Sequence, residues 1–160
     1  MGRELDDVDR GILYLLQVDA RNTTSQEIAD KVGVSASTVR NRIERLETEG
    51  VLTGYHPEID YEAANFPFRV LFVITAPPCE REETVDRLMD VRGVVDVRAM
   101  LTARRNIYAE VVGRSKKDIV RITDAIHDLG VKLESSEIMK QRRTQPFNHF
   151  YFSGESEDDE

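Results

Sequence analysis

Between residues 35 and 46 the chain reads Ser-Ala-Ser-Thr-Val-Arg-Asn-Arg-Ile-Glu-Arg-Leu. Val39, Ile43 and Leu46 recur at i, i+4 and i+7, the spacing of a buried stripe on a helix. With that stripe turned inward, Ser37 and Asn41 point outward and Arg40, Glu44 and Arg45 flank them. Thr38 lies toward the edge of the first turn, and Arg42 beside the stripe. Hydroxyls, an amide and arginines can read nucleic acid: arginine forks to guanine, asparagine to adenine, hydroxyls to either. Ser35 and the free N–H groups beside it can hold a phosphate. The candidate DNA-binding residues are therefore Ser35, Ser37, Thr38, Arg40, Asn41, Arg42 and Arg45. The same pattern also fits an amphipathic helix whose polar face meets only water. Glu44 faces phosphates unfavourably; it can pair with Arg40 at i, i+4 or accept from a cytosine amino group.

Such a helix needs neighbours that hold it at a steep angle. Val8, Ile12, Leu13, Leu15 and Leu16 form an apolar helical stripe, with Asp6 or Asp7 as its cap. Arg21-Asn22 breaks it. Thr24 followed by Glu27 has the spacing of a capping box and opens a second helix, with Ile28, Ala29 and Val32 facing inward. Gly33 ends that helix, Val34 plugs the shared core, and Ser35 caps the third, which Gly50 stops. A helix, a short glycine turn and another helix is the helix-turn-helix layout, predicted over residues 1–54. Val51 to Pro57 reads as a short strand, leading into a linker over 55–67.

A second unit is predicted over 68–152. Val70 to Ile74 is β-branched and aromatic and reads as a strand ended by Pro77-Pro78. A helix over Glu82 to Val91 follows, then a strand from Val94 to Leu101, a turn, and a strand from Ile107 to Val112. Ser115 caps a helix with Ile119, Ile122 and Ile126 inward, and Val131 to Met139 is a last strand, with a prolongation after Arg143 left open. The order βαββαβ is that of the ferredoxin-like split βαβ fold, so the fold class is α+β. Leu71, Val73, Ile107 and Val111 alternate on the strands and can face helices or a partner sheet. Phe147, Phe150, Tyr151 and Phe152 form an aromatic patch that can cover that sheet, seal a subunit contact, or simply pack into a core.

Leu5-Asp6-Asp7-Val8-Asp9-Arg10-Gly11-Ile12-Leu13, then Asp19-Ala20-Arg21, Glu27-Ile28-Ala29, Val34 through Glu47, and Glu49 through Tyr55 resemble the signature of the Lrp/AsnC (leucine-responsive, feast/famine) transcriptional regulators. The resemblance implies a winged or plain helix-turn-helix joined to a ferredoxin-like effector and oligomerisation domain. It implies homodimers built through the C-terminal sheets, extended to tetramers or octamers, and double-stranded DNA as partner. It also implies an amino acid or other small molecule as effector. Members that bind effectors carry a glycine and an aspartate between the second and third strands of that domain. Here the stretch is Thr102-Ala103-Arg104-Arg105-Asn106, with Ala103 in place of the glycine and Asn106 in place of the aspartate. Thr102, Ala103, Arg104 and Asn106 are the candidate effector residues. An aspartate can pair with a ligand ammonium and an asparagine cannot. A different ligand, an anion drawn by Arg104 and Arg105, no ligand, or a solvated hairpin turn all stay open.

The net charge of −8 runs against the basic balance usual for DNA binders. Five acids lie in the tail 153–160, expected to be disordered, and without it 22 basic residues face 25 acidic ones. Only five basic residues are lysines; 17 are arginines. That balance resembles proteins of a salt-rich cytoplasm, as in a halophilic archaeon, though an ordinary acidic protein with a solvated tail fits it too. Three recognition-helix arginines per chain give six per dimer, and a salt slope of roughly −5 if all neutralise phosphates. In concentrated salt, base contacts and multivalent docking must then supply affinity.

No apolar run approaches the roughly 18 residues of a membrane span, and the charged start lacks a signal peptide's apolar stretch, so a cytoplasmic protein without membrane partners is expected. Cys79 is the lone cysteine, and His56, His127 and His149 share no motif. Metal ligands, cofactors and catalytic residues are therefore not expected. Two rivals remain: an enzyme akin to the tetrapyrrole decarboxylases that resemble this family, and a ligand-sensing scaffold without DNA.

Overall fold

The computed structural model describes residues 4–150. The acidic tail, Tyr151 and Phe152 lie outside them. The chain forms two compact units, one of residues 4–57 with 143–150 and one of residues 58–142.

The first unit is helical. Helix α1 (Asp7–Asp19) starts at Asp6, whose carboxylate accepts from the Asp9 N–H at 2.9 Å. Helix α2 (Ser25–Val32) opens on the expected capping box, Thr24 and Glu27 each accepting from the other's backbone N–H. It ends at Gly33, where φ is +74°, a conformation that costs a side chain but not glycine. Helix α3 (Ala36–Thr48) follows after two residues. Ile12, Leu13, Leu15, Ile28, Ala29, Val39 and Leu46 are buried together, with Val8, Val32, Val34 and Ile43 packed at their edge. Each fully buried Ile or Leu contributes about 1.5–3 kcal/mol.

One expectation fails here, and one open alternative is closed. Val51 to Pro57 is irregular, bending at Val51 and Leu52, and joins no ladder, so the unit shows no wing among the described residues. The Leu46 carbonyl takes the N–H groups of both Val51 and Leu52, and no strand of this unit offers an edge. The segment after Arg143 does not prolong the sheet either. It belongs to the helical unit, where Phe150 packs on the core, Phe147 meets it edge to face at 5.0 Å, and the Phe147 N–H donates to Gln17. The aromatic pair therefore covers α1 rather than the sheet.

The second unit is a four-stranded antiparallel sheet ordered β2-β3-β1-β4, built from β1 (Phe68–Thr75), β2 (Val94–Ala99), β3 (Ile107–Gly113) and β4 (Lys132–Ile138). Helix α4 (Arg81–Met89) follows a 3-10 turn at Pro78–Glu80, and α5 (Lys116–Asp128) carries a second capping box, Ser115 with Asp118. This is the predicted βαββαβ order. Val70, Phe72 and Ile74 of β1 pair with Val111, Ala109 and Ile107 of β3, and this face packs on Leu88 of α4 and on Ile122 and Ile126 of α5. Leu71 and Val73 point to the other face. There Glu110 is 1% exposed and accepts from Arg69, whose guanidinium also lies 5.5 Å from the Tyr61 ring centroid. Arg98 approaches the second Glu110 oxygen at 4.0 Å and pairs with Asp96 at 2.7 Å.

Gly93, at φ +108°, lets the chain pass under α5: a Cβ there would lie 2.5 Å from Ile122 Cδ1 and 3.1 Å from the Val112 oxygen. Gly93→Ala combines a strained φ with overpacking and should destabilise the chain by about 1–3 kcal/mol. A lowered urea midpoint with unchanged m-value would register it; an unchanged midpoint would refute this account of the turn.

Candidate nucleic-acid interface

The N-terminus of α3 is organised by hydroxyls. Ser35 Oγ accepts from the Thr38 N–H at 3.1 Å and lies 2.9 Å from Ser37 Oγ and 2.8 Å from Thr38 Oγ1. Three hydroxyls thus meet over the first turn, where unsatisfied N–H groups and the helix dipole favour a phosphate oxygen. Beyond that turn Ser37, Arg40, Asn41, Glu44 and Arg45 are exposed, while Thr38 and Arg42 are half-buried, as the helical spacing predicts. Among the described residues Arg40 and Glu44 form no ion pair, although their i, i+4 spacing would allow one.

Arg42 is not presented to solvent like its neighbours. It donates to Asp6 at 2.5 Å and to Asp9 at 3.0 Å. Arg45 reaches the same Asp9 oxygen at 3.6 Å while 42% of its side chain stays exposed. Asp9 itself has no exposure. The hydrogen bond to Asp6 is the main cause that holds the Arg42 guanidinium above its ordinary pKa, burial opposing it and Asp9 adding to it. Asp9 therefore ties α1 to the exposed face of α3 from below. Sequence reasoning gave Asp6 or Asp7 a capping role and missed this tie. The signal was present: Asp9 shares its helical face with Ile12, Leu13 and Leu16, and an acid on a core-facing stripe needs a cation.

The far end of α3 is tied to the segment that follows it. Tyr55 Oη donates to Glu47 at 2.8 Å. Burial first, and the Glu47 carboxylate second, push the phenol pKa up to about 12.

The candidate effector residues lie in the second unit. Thr102, Ala103 and Arg104 are exposed; Asn106 is buried. The Asn106 amide accepts from the Ala76 N–H at 3.0 Å and donates to the Ala76 carbonyl at 2.8 Å. An asparagine does both at once and an aspartate cannot, which accounts for its place after the turn. Ala103 adopts φ +132°, so the backbone keeps a glycine-like conformation without the glycine. Among the described residues no cluster of three or more His, Cys, Asp or Glu could hold a metal ion, and no helix is long and apolar enough to cross a membrane.

Asp9→Ala should lower stability by about 2 kcal/mol, because it removes the buried carboxylate on which Arg42 and Arg45 converge and leaves a gap beneath α3, Arg42 keeping only Asp6. The exposed pair Asp7–Arg10 is the control: Asp7→Ala should cost less than about 0.5 kcal/mol. Equal urea midpoints for the two variants would overturn the role of Asp9. Folding raises the Tyr55 pKa from 10.0 to about 12, so its contribution is full below pH 10 and is lost as pH climbs toward 12. Tyr55→Phe should lack that alkaline component, visible as a flatter dependence of Tm on pH over the same window.

A family model described as an AsnC-type helix-turn-helix domain matches residues 5–47. The chain is 34% identical over 118 residues to an uncharacterised HTH-type transcriptional regulator of Pyrococcus abyssi, covering 74% of this chain and 73% of that protein. It is 30% identical over 154 residues to the HTH-type transcriptional regulator LrpA of Mycobacterium tuberculosis, covering 94% of this chain and 95% of that one. Among solved structures, a feast or famine regulatory protein of M. tuberculosis, complexed with L-methionine, aligns with a TM-score of 0.77 at 26% identity, over 89% of this chain and 96% of that one. Likeness that runs through both units, end to end in the LrpA comparison, goes beyond a shared helix-turn-helix: the chain belongs to the Lrp/AsnC family of HTH-type transcriptional regulators.

Proposed function

We propose that α3 lies in the major groove of double-stranded DNA, with Ser37, Arg40 and Asn41 at base edges and Ser35, Thr38 and Arg45 at phosphates. The observation that carries this is the exposed face of α3, where an amide, a free guanidinium and hydroxyls stand together over the helix N-terminus. Arg42 belongs to the interface in a different way: fixed on Asp6 and Asp9, it sets the pitch of α3, and its remaining exposure leaves it beside the backbone. The regulator acts as a homodimer through its sheets, or as a tetramer or octamer of such dimers, in the cytoplasm. It carries out no catalysis. A small-molecule effector acts through Thr102, Ala103, Arg104 and Asn106; the methionine complex of the M. tuberculosis relative supports that class of control.

We read the acidic, arginine-rich composition as adaptation to a salt-rich, halophilic cytoplasm. With Arg42 held internally, Arg40 and Arg45 are the helix arginines left for DNA, four per dimer. Even if Arg40 offsets phosphate charge while it reads a base, the salt slope should be no steeper than about −4 in log K against log salt, shallower than six arginines would give. Base contacts must carry the remaining affinity.

Genome-wide mapping of bound sites should yield a defined operator motif. On that operator, Arg40→Ala and Asn41→Ala should each lose about 1–3 kcal/mol of discrimination at one base position while the circular dichroism spectrum stays unchanged. Unaltered operator preference in both variants would refute this placement of α3. Loss of the operator complex along a slope much steeper than −4 would refute the salt argument.

A further inference from the structure

We propose that the cavity between the start of α4, the turn after β2 and the α5–β4 turn binds a small molecule carrying two or more negative charges. The inference rests on the effector reading above and names the class of effector. The cavity is about 550 Å³, within the range of small-molecule sites. Four cations line it, Arg81, Arg87, Arg104 and Lys132, against one carboxylate, Glu80. On a chain of net charge −8 such a local excess is unusual.

The state of those cations shows how much charge is uncommitted. Lys132 is paired with Glu134 at 3.0 Å. Arg87 and Arg104 make no ion pair among the described residues. Arg81 gives one N–H to the Leu101 carbonyl at 3.3 Å, and its Nε is buried without a hydrogen-bond partner. A buried donor left unpaired is costly, and an oxyanion in the cavity would satisfy it. Pro77, Pro78, Leu129 and Val131 supply apolar wall, which strengthens the field of the guanidinium groups inside.

A zwitterionic amino acid suits this cavity poorly. Its ammonium would need acceptors, and Glu80 is the one lining carboxylate. Asn106 is a neutral, buried amide already bonded to Ala76 in both directions, so it presents no charge to an ammonium. An oxyanion at each end of the ligand, whether carboxylate or phosphate, matches cations distributed around the walls.

Isothermal titration of the full chain at fixed ionic strength tests this, with succinate, inorganic phosphate, L-leucine and L-methionine as probes. Succinate or phosphate should bind saturably, near one per chain, and at least about tenfold more tightly than either amino acid; which of the two wins separates a dicarboxylate from a phosphorylated ligand. Arg87→Met and Arg104→Met, both at exposed positions, should each weaken the dianion about tenfold without lowering Tm. Arg81→Lys keeps the charge but loses Nε and should weaken it as well. Tighter binding of an amino acid, no saturable dianion, or an unchanged isotherm in the Arg87→Met/Arg104→Met double variant would overturn the proposal. The titration contains no DNA, so it stands apart from the operator assay. Saturable dianion binding that leaves operator affinity unchanged would support the anion site and refute its effector role.

Discussion

A carboxylate removed from water holds the helical unit's working surface in place. Asp9 sits with no exposure beneath α3, and two arginines of that helix converge on it, Arg42 with a second hold on Asp6. Burying one charge is expensive; burying it between guanidinium groups that are themselves partly solvated is tolerable, and it resists rotation of either helix. Apolar packing of Val39, Ile43 and Leu46 would accept small changes in the roll of α3. The ion cluster does not, because its hydrogen bonds are directional. The same pairs divide the arginines into those that shape the helix and those that remain for a partner.

That division changes how an acidic protein can regulate DNA. Net charge predicts repulsion, but affinity depends on a local face. On α3 that face carries an amide, hydroxyls and two solvent-facing arginines, with Glu44 as its one carboxylate near the centre. Fewer phosphate contacts mean a shallower salt dependence, and hydrogen bonds to bases are screened far less than charges are. Arrangement, rather than total charge, sets how such a surface responds to salt.

The second unit holds its β2–β3 turn through backbone contacts. Asn106 bridges the Ala76 peptide in both directions, extending the pairing of β1 beyond its last strand residue. Ala103 accepts a positive φ of 132°. The turn is thus held by backbone contacts, while Arg104 and Arg105 stand exposed on it.

Most of the architecture was legible in the chain because it rests on local rules. Thr24 and Glu27, Gly33, Ser35, and Ser115 mark helix ends through contacts within four residues, and the stripes at Ile12, Val39 and Ile122 follow helical period. Alternation at Val70, Phe72 and Ile74 marked a strand, and the order of elements restricted the sheet topology. What spacing could not show depends on partners distant in sequence. The segment Val51–Pro57 has strand-like residues, yet a strand needs an edge, and its unit has none among the described residues. The aromatic pair Phe147 and Phe150 was assignable to either unit until the chain path placed it on α1. Arg42 looked like its neighbours Arg40 and Arg45, and only its bonds to Asp6 and Asp9, 36 and 33 residues away, set it apart. The sequence by itself determined where helices and most strands begin, which faces are apolar, and which helix turns hydroxyls, an amide and arginines outward, because capping and periodicity act over a few residues. The tertiary structure alone decided which charges are committed inward and which remain outward, because that depends on what lies across the gap.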